Sequence, residues 1–168
     1  NTSQNERETR KNIFKNERVN FILGVILVIF SLYLTISFIS FFFTGSIDQS
    51  KVENLSVGEL SSIGNEIQNW TGAFGAYLSN LMINRWMGIS AFIVSLWLYV
   101  VGRRFMKVAH TRMIRFTISC ALSIIVLSLF FGFIFMHSYN NTFLYLGGYH
   151  GYYATLWLNA WIGPWGTA

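Results

Sequence analysis

Charge is scarce in this chain: 11% of its 168 residues are Asp, Glu, Lys or Arg, against about 25% in an ordinary water-soluble domain. One cysteine, Cys120, excludes an internal disulfide, and its place inside an apolar run reads as a small packing or lipid-facing residue. Every acid lies before residue 20 or between residues 44 and 69. His110, His137 and His150 have neither ligand spacing nor acidic companions, so no metal centre or proton relay is expected. The serine, histidine and acid inventory is likewise too thin for hydrolysis, because every acid lies in the amino-terminal tail or the 44–69 loop. The sequence therefore offers no catalytic, cofactor-binding or metal residue.

What is abundant is apolar: 53% of residues are hydrophobic and 18% aromatic. Asn20 to Phe43 is 24 residues without a charge, about 36 Å of helix against a hydrocarbon core of about 30 Å. That length exceeds a secretory signal core, and no small-residue cleavage site follows. A second uncharged run, Trp86 to Gly102, has 17 residues bounded by Arg85 and by Arg103 and Arg104, whose side chains can snorkel to the two faces. The third, Phe116 to Met136, has 21 residues between Arg115 and His137.

Basic residues accumulate on the cytoplasmic side of a membrane. The amino-terminal tail, residues 1–19, carries Arg7, Arg10, Lys11, Lys15 and Arg18, and the turn after Gly102 carries Arg103, Arg104, Lys107, Arg112 and Arg115. Both belong inside. The 44–69 loop has Lys51 among four acids and belongs outside, as does the uncharged 138–146 segment. Contact of the arginines with DNA is the sharper alternative, but their closeness to span ends favours orientation and anionic lipid.

Two stretches resemble each other. Gly72 and Gly75 align with Gly148 and Gly151 at an offset of 76, and Gly88 aligns with Gly166 if two residues are inserted. In the first copy Trp70, Phe74, Tyr77, Leu78, Leu81 and Met82 form one helical face; in the second, Tyr149, Tyr152, Tyr153, Leu156, Trp157 and Trp161 do so. Gly72, Gly75, Ala76 and Ser79 form another face, which suits close approach of a backbone within one subunit or between subunits. A continuous helix from Trp70 to Gly102 would bury Arg85 near its centre, which is costly. We therefore expect interfacial half-helices at 70–84 and 147–161, a break near Asn84 and Arg85 with Arg85 anchored at the boundary, and a fourth span starting near Gly163. Too few residues follow for that span. Either residues 143–168 cross by themselves, or the sequence, which lacks an initiator methionine, is a fragment of something longer. The expected fold is all-α and polytopic, with three complete spans, a truncated fourth and two outer-surface amphipathic half-helices.

This order of features resembles the amino-terminal four-span membrane domain of the FtsK/SpoIIIE family of bacterial DNA translocases. The residues that carry the resemblance are Asn69, Gly72, Gly75, Ala76, Leu78, Gly88 and Ala91 at the start of the second span, and Gly147, Gly148, Gly151, Gly166, Thr167 and Ala168 at the start of the fourth. The family's Gly-rich phosphate loop and winged-helix segment have no counterpart in these residues. The resemblance implies a multi-pass anchor in the bacterial cytoplasmic membrane, enriched at the division septum, with its amino terminus inside. It further implies self-association as a hexamer, division proteins as partners, and ATP, Mg and DNA handled by a separate motor domain. Gly72, Gly75, Ala76, Gly148 and Gly151 are then the helix-packing or oligomer residues, and Arg85, Arg103 and Arg104 the interfacial anchors.

Two other readings stay open. One is a small transporter or channel with half-helices at mid-depth, although scattered Ser31, Thr35, Ser37, Ser95, Ser119 and Ser123 can each bond their own helix backbone. The other is a scaffold or sensor subunit of an envelope complex. Asn54-Leu55-Ser56 and Asn140-Asn141-Thr142 fit the glycosylation pattern, which matters only in a eukaryotic secretory setting.

Overall fold

The computed structural model describes residues 16–53, 57–60, 62–108, 111–136 and 143–167, with side chains as far as residue 163. Arg7, Arg10, Lys11 and Lys15 of the tail, His110, His137, Asn54 and the Asn140-Asn141-Thr142 motif lie outside the described residues, as do Ala168 and the side chains of Gly166 and Thr167. Three helical stretches are long and apolar enough to cross a membrane by length and composition: Glu17–Val52, Gly72–Phe105, which is broken at Gly88, and Met113–Ile134. The described residues are helices and turns, as the all-α reading requires.

Helix α1, Glu17–Val52, has 36 residues and starts on Asn16, whose side chain accepts from the Arg18 amide at 3.1 Å. It runs beyond the expected end at Phe43. Polar residues that would read as loop in isolation find partners: the Thr44 hydroxyl donates to Ser40 O, buried Asp48 accepts from the Gln68 amide at 2.8 Å, and Lys51 donates to Glu66 O at 2.7 Å. Two short 3₁₀ turns, Val57–Glu59 and Gly64–Glu66, follow.

From Glu66 the chain then descends alongside α1. Glu66 is level with Lys51, Gln68 with Asp48, Trp70 with Ser40 (amide to hydroxyl, 3.0 Å) and Asn69 with Ser37 (Nδ2 to carbonyl, 3.2 Å). At Gly72, which has φ 77°, it turns and climbs as α2, Gly72–Ser79, continued by a π-helical segment, Asn80–Met87. Gly75 and Ser79 sit beside Ser37, and Asn84 beside Gln49, so the climb parallels α1. Gly88 (φ 67°, ψ −147°) reverses the direction again. After a single 3₁₀ turn, Gly88–Ser90, helix α3, Ala91–Phe105, descends: Phe92 is beside Phe38, Ser95 beside Ser31 and Gly102 beside Gly24.

A 30 Å hydrocarbon layer that starts at Asn20 ends near residue 40 of α1, at about 1.5 Å per residue. The low point of the loop, Trp70 and Thr71, therefore meets the far boundary of such a layer, where Trp70 stacks on exposed Phe43 and the Tyr33 hydroxyl donates to Thr71 O at 3.0 Å. Below it, α1 and α3 pack through small residues. A Cβ on Gly24 would lie 2.6 Å from Gly102 O, while Ser31 and Ser95 each donate to the other's carbonyl, at 2.8 and 2.9 Å. Above that seam, Leu34, Phe38, Phe41, Ile83 and Ala91 form the main apolar cluster.

Helix α4, Met113–Ile134, packs on α3, with Trp97 Nε1 donating to Thr117 Oγ1 at 3.0 Å. Helix α5, Gly148–Thr167, crosses α4 where Gly151 meets Ser128 and Gly132, and its Asn159 reaches Met136 beyond the end of α4. Its backbone breaks at Gly163 (φ 74°, ψ 168°).

The repeat is thus real in the backbone, with one correction to its register. Gly72 and Gly148 open the two half-helices at φ 77° and 68°, and the residues that close them are Gly88 and Gly163, not Gly88 and Gly166. The first pair is sixteen residues apart and the second fifteen. The π-helical segment in the first copy accommodates the extra residue, since a π turn is an α turn with one residue added. In both copies a serine on the span that precedes the half-helix, Ser37 or Ser128, donates to a carbonyl of the glycine-rich half-helix start, Gly75 or Gly147, at 2.7 and 2.6 Å.

Candidate functional site

The densest polar construction lies outside the boundary, where the two half-helices meet the end of α1. Asn84, buried on the π segment, donates through Nδ2 to Gln49 Oε1 at 3.2 Å, Asn80 Oδ1 at 3.1 Å and Phe143 O at 3.1 Å; its Oδ1 accepts from the Tyr145 amide at 3.1 Å. One side chain thereby joins α1, the first half-helix and the strap leading into the second. Beside it the Ile89 amide donates to Leu146 O at 2.8 Å, and Gly88 and Gly148 meet backbone to backbone. A Cβ on Gly88 would strike the Leu146 carbonyl, and φ 67° is a conformation that only glycine adopts cheaply.

Arg85, half-buried, donates to Glu53 O at the last turn of α1. A guanidinium there satisfies an orphan carbonyl and faces the negative end of the helix dipole. Its partner is therefore the carbonyl at the end of α1.

The glycines expected to pack divide by role. Gly72 has open space around its Cβ direction and serves the turn. Gly75 faces Ser37 and Thr71, and Ala76 is buried near Val52 and Leu60. Gly148 and Gly151 abut Trp86 and Gly88 and the Ser128 carbonyl respectively. All four packed positions are filled by this chain's own side chains and backbone. On the second half-helix the small face is packed in this way, while Tyr153, Trp157 and Trp161 stay exposed.

At the carboxyl end of α3 Arg103 lies 5.7 Å from the centre of the Tyr99 ring, and Arg104 is exposed. Helix α3 stops in a Schellman turn: the Lys107 amide donates to Arg104 O at 3.0 Å and the Val108 amide to Arg103 O at 3.1 Å, with Lys107 itself at φ 60°. Lys107 pairs with Glu17, which joins the first turn of α1 to the end of α3.

A family model described as the 4TM region of DNA translocase FtsK/SpoIIIE matches residues 16–168. The chain belongs to this family. No curated protein and no solved structure gives a significant match. For this FtsK/SpoIIIE membrane region the match covers every element described above, from the Asn16 cap to the α5 kink.

Sequence reasoning missed Asn84 as a hub, having placed a break there. The available signal was an asparagine pair at i and i+4, Asn80 and Asn84, inside an otherwise apolar segment. It also assigned Ser31, Ser37 and Ser95 to their own backbones. Each instead bonds across a helix interface, and among the three hydroxyl groups of that seam only Thr35 also bonds back, to Ser31 O at 2.9 Å. The cause is the glycine and serine seam, which brings the backbones close enough for a short hydroxyl to reach the neighbour.

Proposed function

We propose that this segment is the membrane anchor and self-association domain of a septal DNA translocase, which couples chromosome segregation to cell division. The observation that carries the reading is the family match over residues 16–168. In this reading the protein sits in the bacterial cytoplasmic membrane with Lys107 and the amino terminus inside, assembles as a hexamer and meets division proteins at the septum. ATP, Mg and DNA are handled by a motor domain elsewhere in the protein. The outer construction around Asn84 and Arg85 then gives the anchor a fixed shape, because force from a motor is resisted by packed helices better than by loops. The hydroxyls of Ser31, Thr35 and Ser95 are spent on one another and on helix carbonyls, which speaks against a solute path along them.

The test is the full-length protein carrying a fluorescent fusion in dividing cells, followed by in-cell cross-linking through cysteines placed at exposed Tyr153 and Trp157. A midcell band and a cross-linked ladder reaching six subunits are expected. An even distribution around the membrane at every stage of division refutes the septal role, and monomers alone refute self-association.

A further inference from the structure

The inner end of the molecule is shaped by one packing event. Close contact between Gly24 and Gly102 brings the first turn of α1 against the last turn of α3. Two adjoining cavities result, which share Phe105 and Lys107. One, of about 450 Å³, is lined by Asn20, Arg104, Phe105 and Lys107. The other, of about 490 Å³, adds Arg18 at its rim and Phe21, Ile22 and Met106 along its floor. One wall is cationic: Arg18, Arg104 and Lys107 line it, and among the described residues Glu17 is the carboxylate there, engaged by Lys107. The floor is apolar and open to the bilayer, since Phe21 and Ile22 are both more than half exposed. The Schellman turn holds Lys107 at φ 60°, a conformation uncommon for a side-chain-bearing residue, and so sets the direction in which its side chain leaves the backbone.

We propose that this cleft is a binding site for one anionic phospholipid of the adjacent leaflet, with its phosphodiester on Arg104 and Lys107, its glycerol beside Asn20 and its acyl chains along Phe21 and Ile22. The two walls decide the ligand class. A free phosphate would use only the cationic wall, a zwitterionic choline headgroup would place its ammonium among arginines, and a diacyl anion satisfies both walls. Glu17 competes with the phosphate for Lys107, so it tunes affinity downward.

The experiment is native mass spectrometry of the full chain in detergent, titrated with phosphatidylglycerol and, in parallel, phosphatidylcholine. Tighter binding of phosphatidylglycerol is expected. Arg104→Gln and Lys107→Gln should each weaken it about fivefold, as loss of one basic contact to an anionic headgroup implies, Glu17→Gln should strengthen it, and Arg104→Lys should retain it, which separates lost charge from lost fold. Arg115→Gln, the same change of net charge at an exposed residue outside the cleft, should leave binding within about twofold. An equal loss in Arg115→Gln, or no preference for phosphatidylglycerol, would show diffuse attraction and overturn the site. Displacement of the lipid by millimolar glycerol phosphate would overturn the assignment to a lipid.

Discussion

Asn84→Ala is the substitution whose cost follows most directly from geometry. The wild-type amide satisfies two backbone groups of the strap, Phe143 O and the Tyr145 N–H, both at 3.1 Å, and it is 1% exposed. Alanine removes both partners at once. A buried backbone group left without a partner costs about 1–3 kcal/mol, and the position lies outside the hydrocarbon layer, where water can enter part of the space. The lower half of that range for two groups gives about 3 kcal/mol. For a chain of this size that is a fall in melting temperature of roughly 6–12 °C. The molecule supplies its own reporter, because its one cysteine, Cys120, is buried and becomes reactive to a thiol-sensitive dye when the helices separate. Gln49→Ala is the control: Gln49 is only one of three acceptors for Asn84 Nδ2, so about 1 kcal/mol or less is expected. If Asn84→Ala and Gln49→Ala melt within a degree or two of each other, the hub does not join the half-helices as described.

Other outcomes follow from the same contacts. Ser31→Ala and Ser95→Ala should each cost about 0.6 kcal/mol and at most about 1.7, the average and the maximum for interhelical hydrogen bonds in membranes, and no loss in either single variant would mean that the reciprocal bonds add nothing. Gly72→Ala should cost about 1–2 kcal/mol, from backbone strain alone, because its Cβ direction is open; Gly88→Ala should cost clearly more, because strain is joined by collision with Leu146 O, and equal melting temperatures for the two would contradict the turn geometry. The hydrogen bond and charge of Lys107 hold the Glu17 carboxyl below its ordinary range. Any stability from that pair is thus fully present above the ordinary carboxylate pKa and is lost as pH falls through the depressed folded value. Glu17→Gln should abolish this part of the acid dependence, and an unchanged acid limb in a melting series would rule it out.

The spans were legible because uncharged length is a one-dimensional property, and hydropathy alone finds α1, α3 and α4. What escaped is everything that depends on two segments meeting. Asp48, Gln49 and Lys51 look like loop residues until the Glu66–Trp70 descent is placed beside them, and only then does α1 extend to Val52. The repeat was visible as a glycine spacing, but Gly163 and Gly166 cannot be told apart by letter. The positive φ of Gly163 decides which one closes the second half-helix. Arg85 read as a boundary residue because its charge excluded the bilayer interior, while its partner, the Glu53 carbonyl, belongs to the backbone and leaves no mark in the sequence.

The central proposal is that the turn following α3 faces the cell interior. The direct measurement is labelling of Lys107→Cys, in a Cys120→Ala background, with a membrane-impermeant thiol reagent applied to intact cells and to inverted vesicles. Labelling in inverted vesicles and none in intact cells is the predicted result. Labelling in intact cells would place that turn outside and contradict the account.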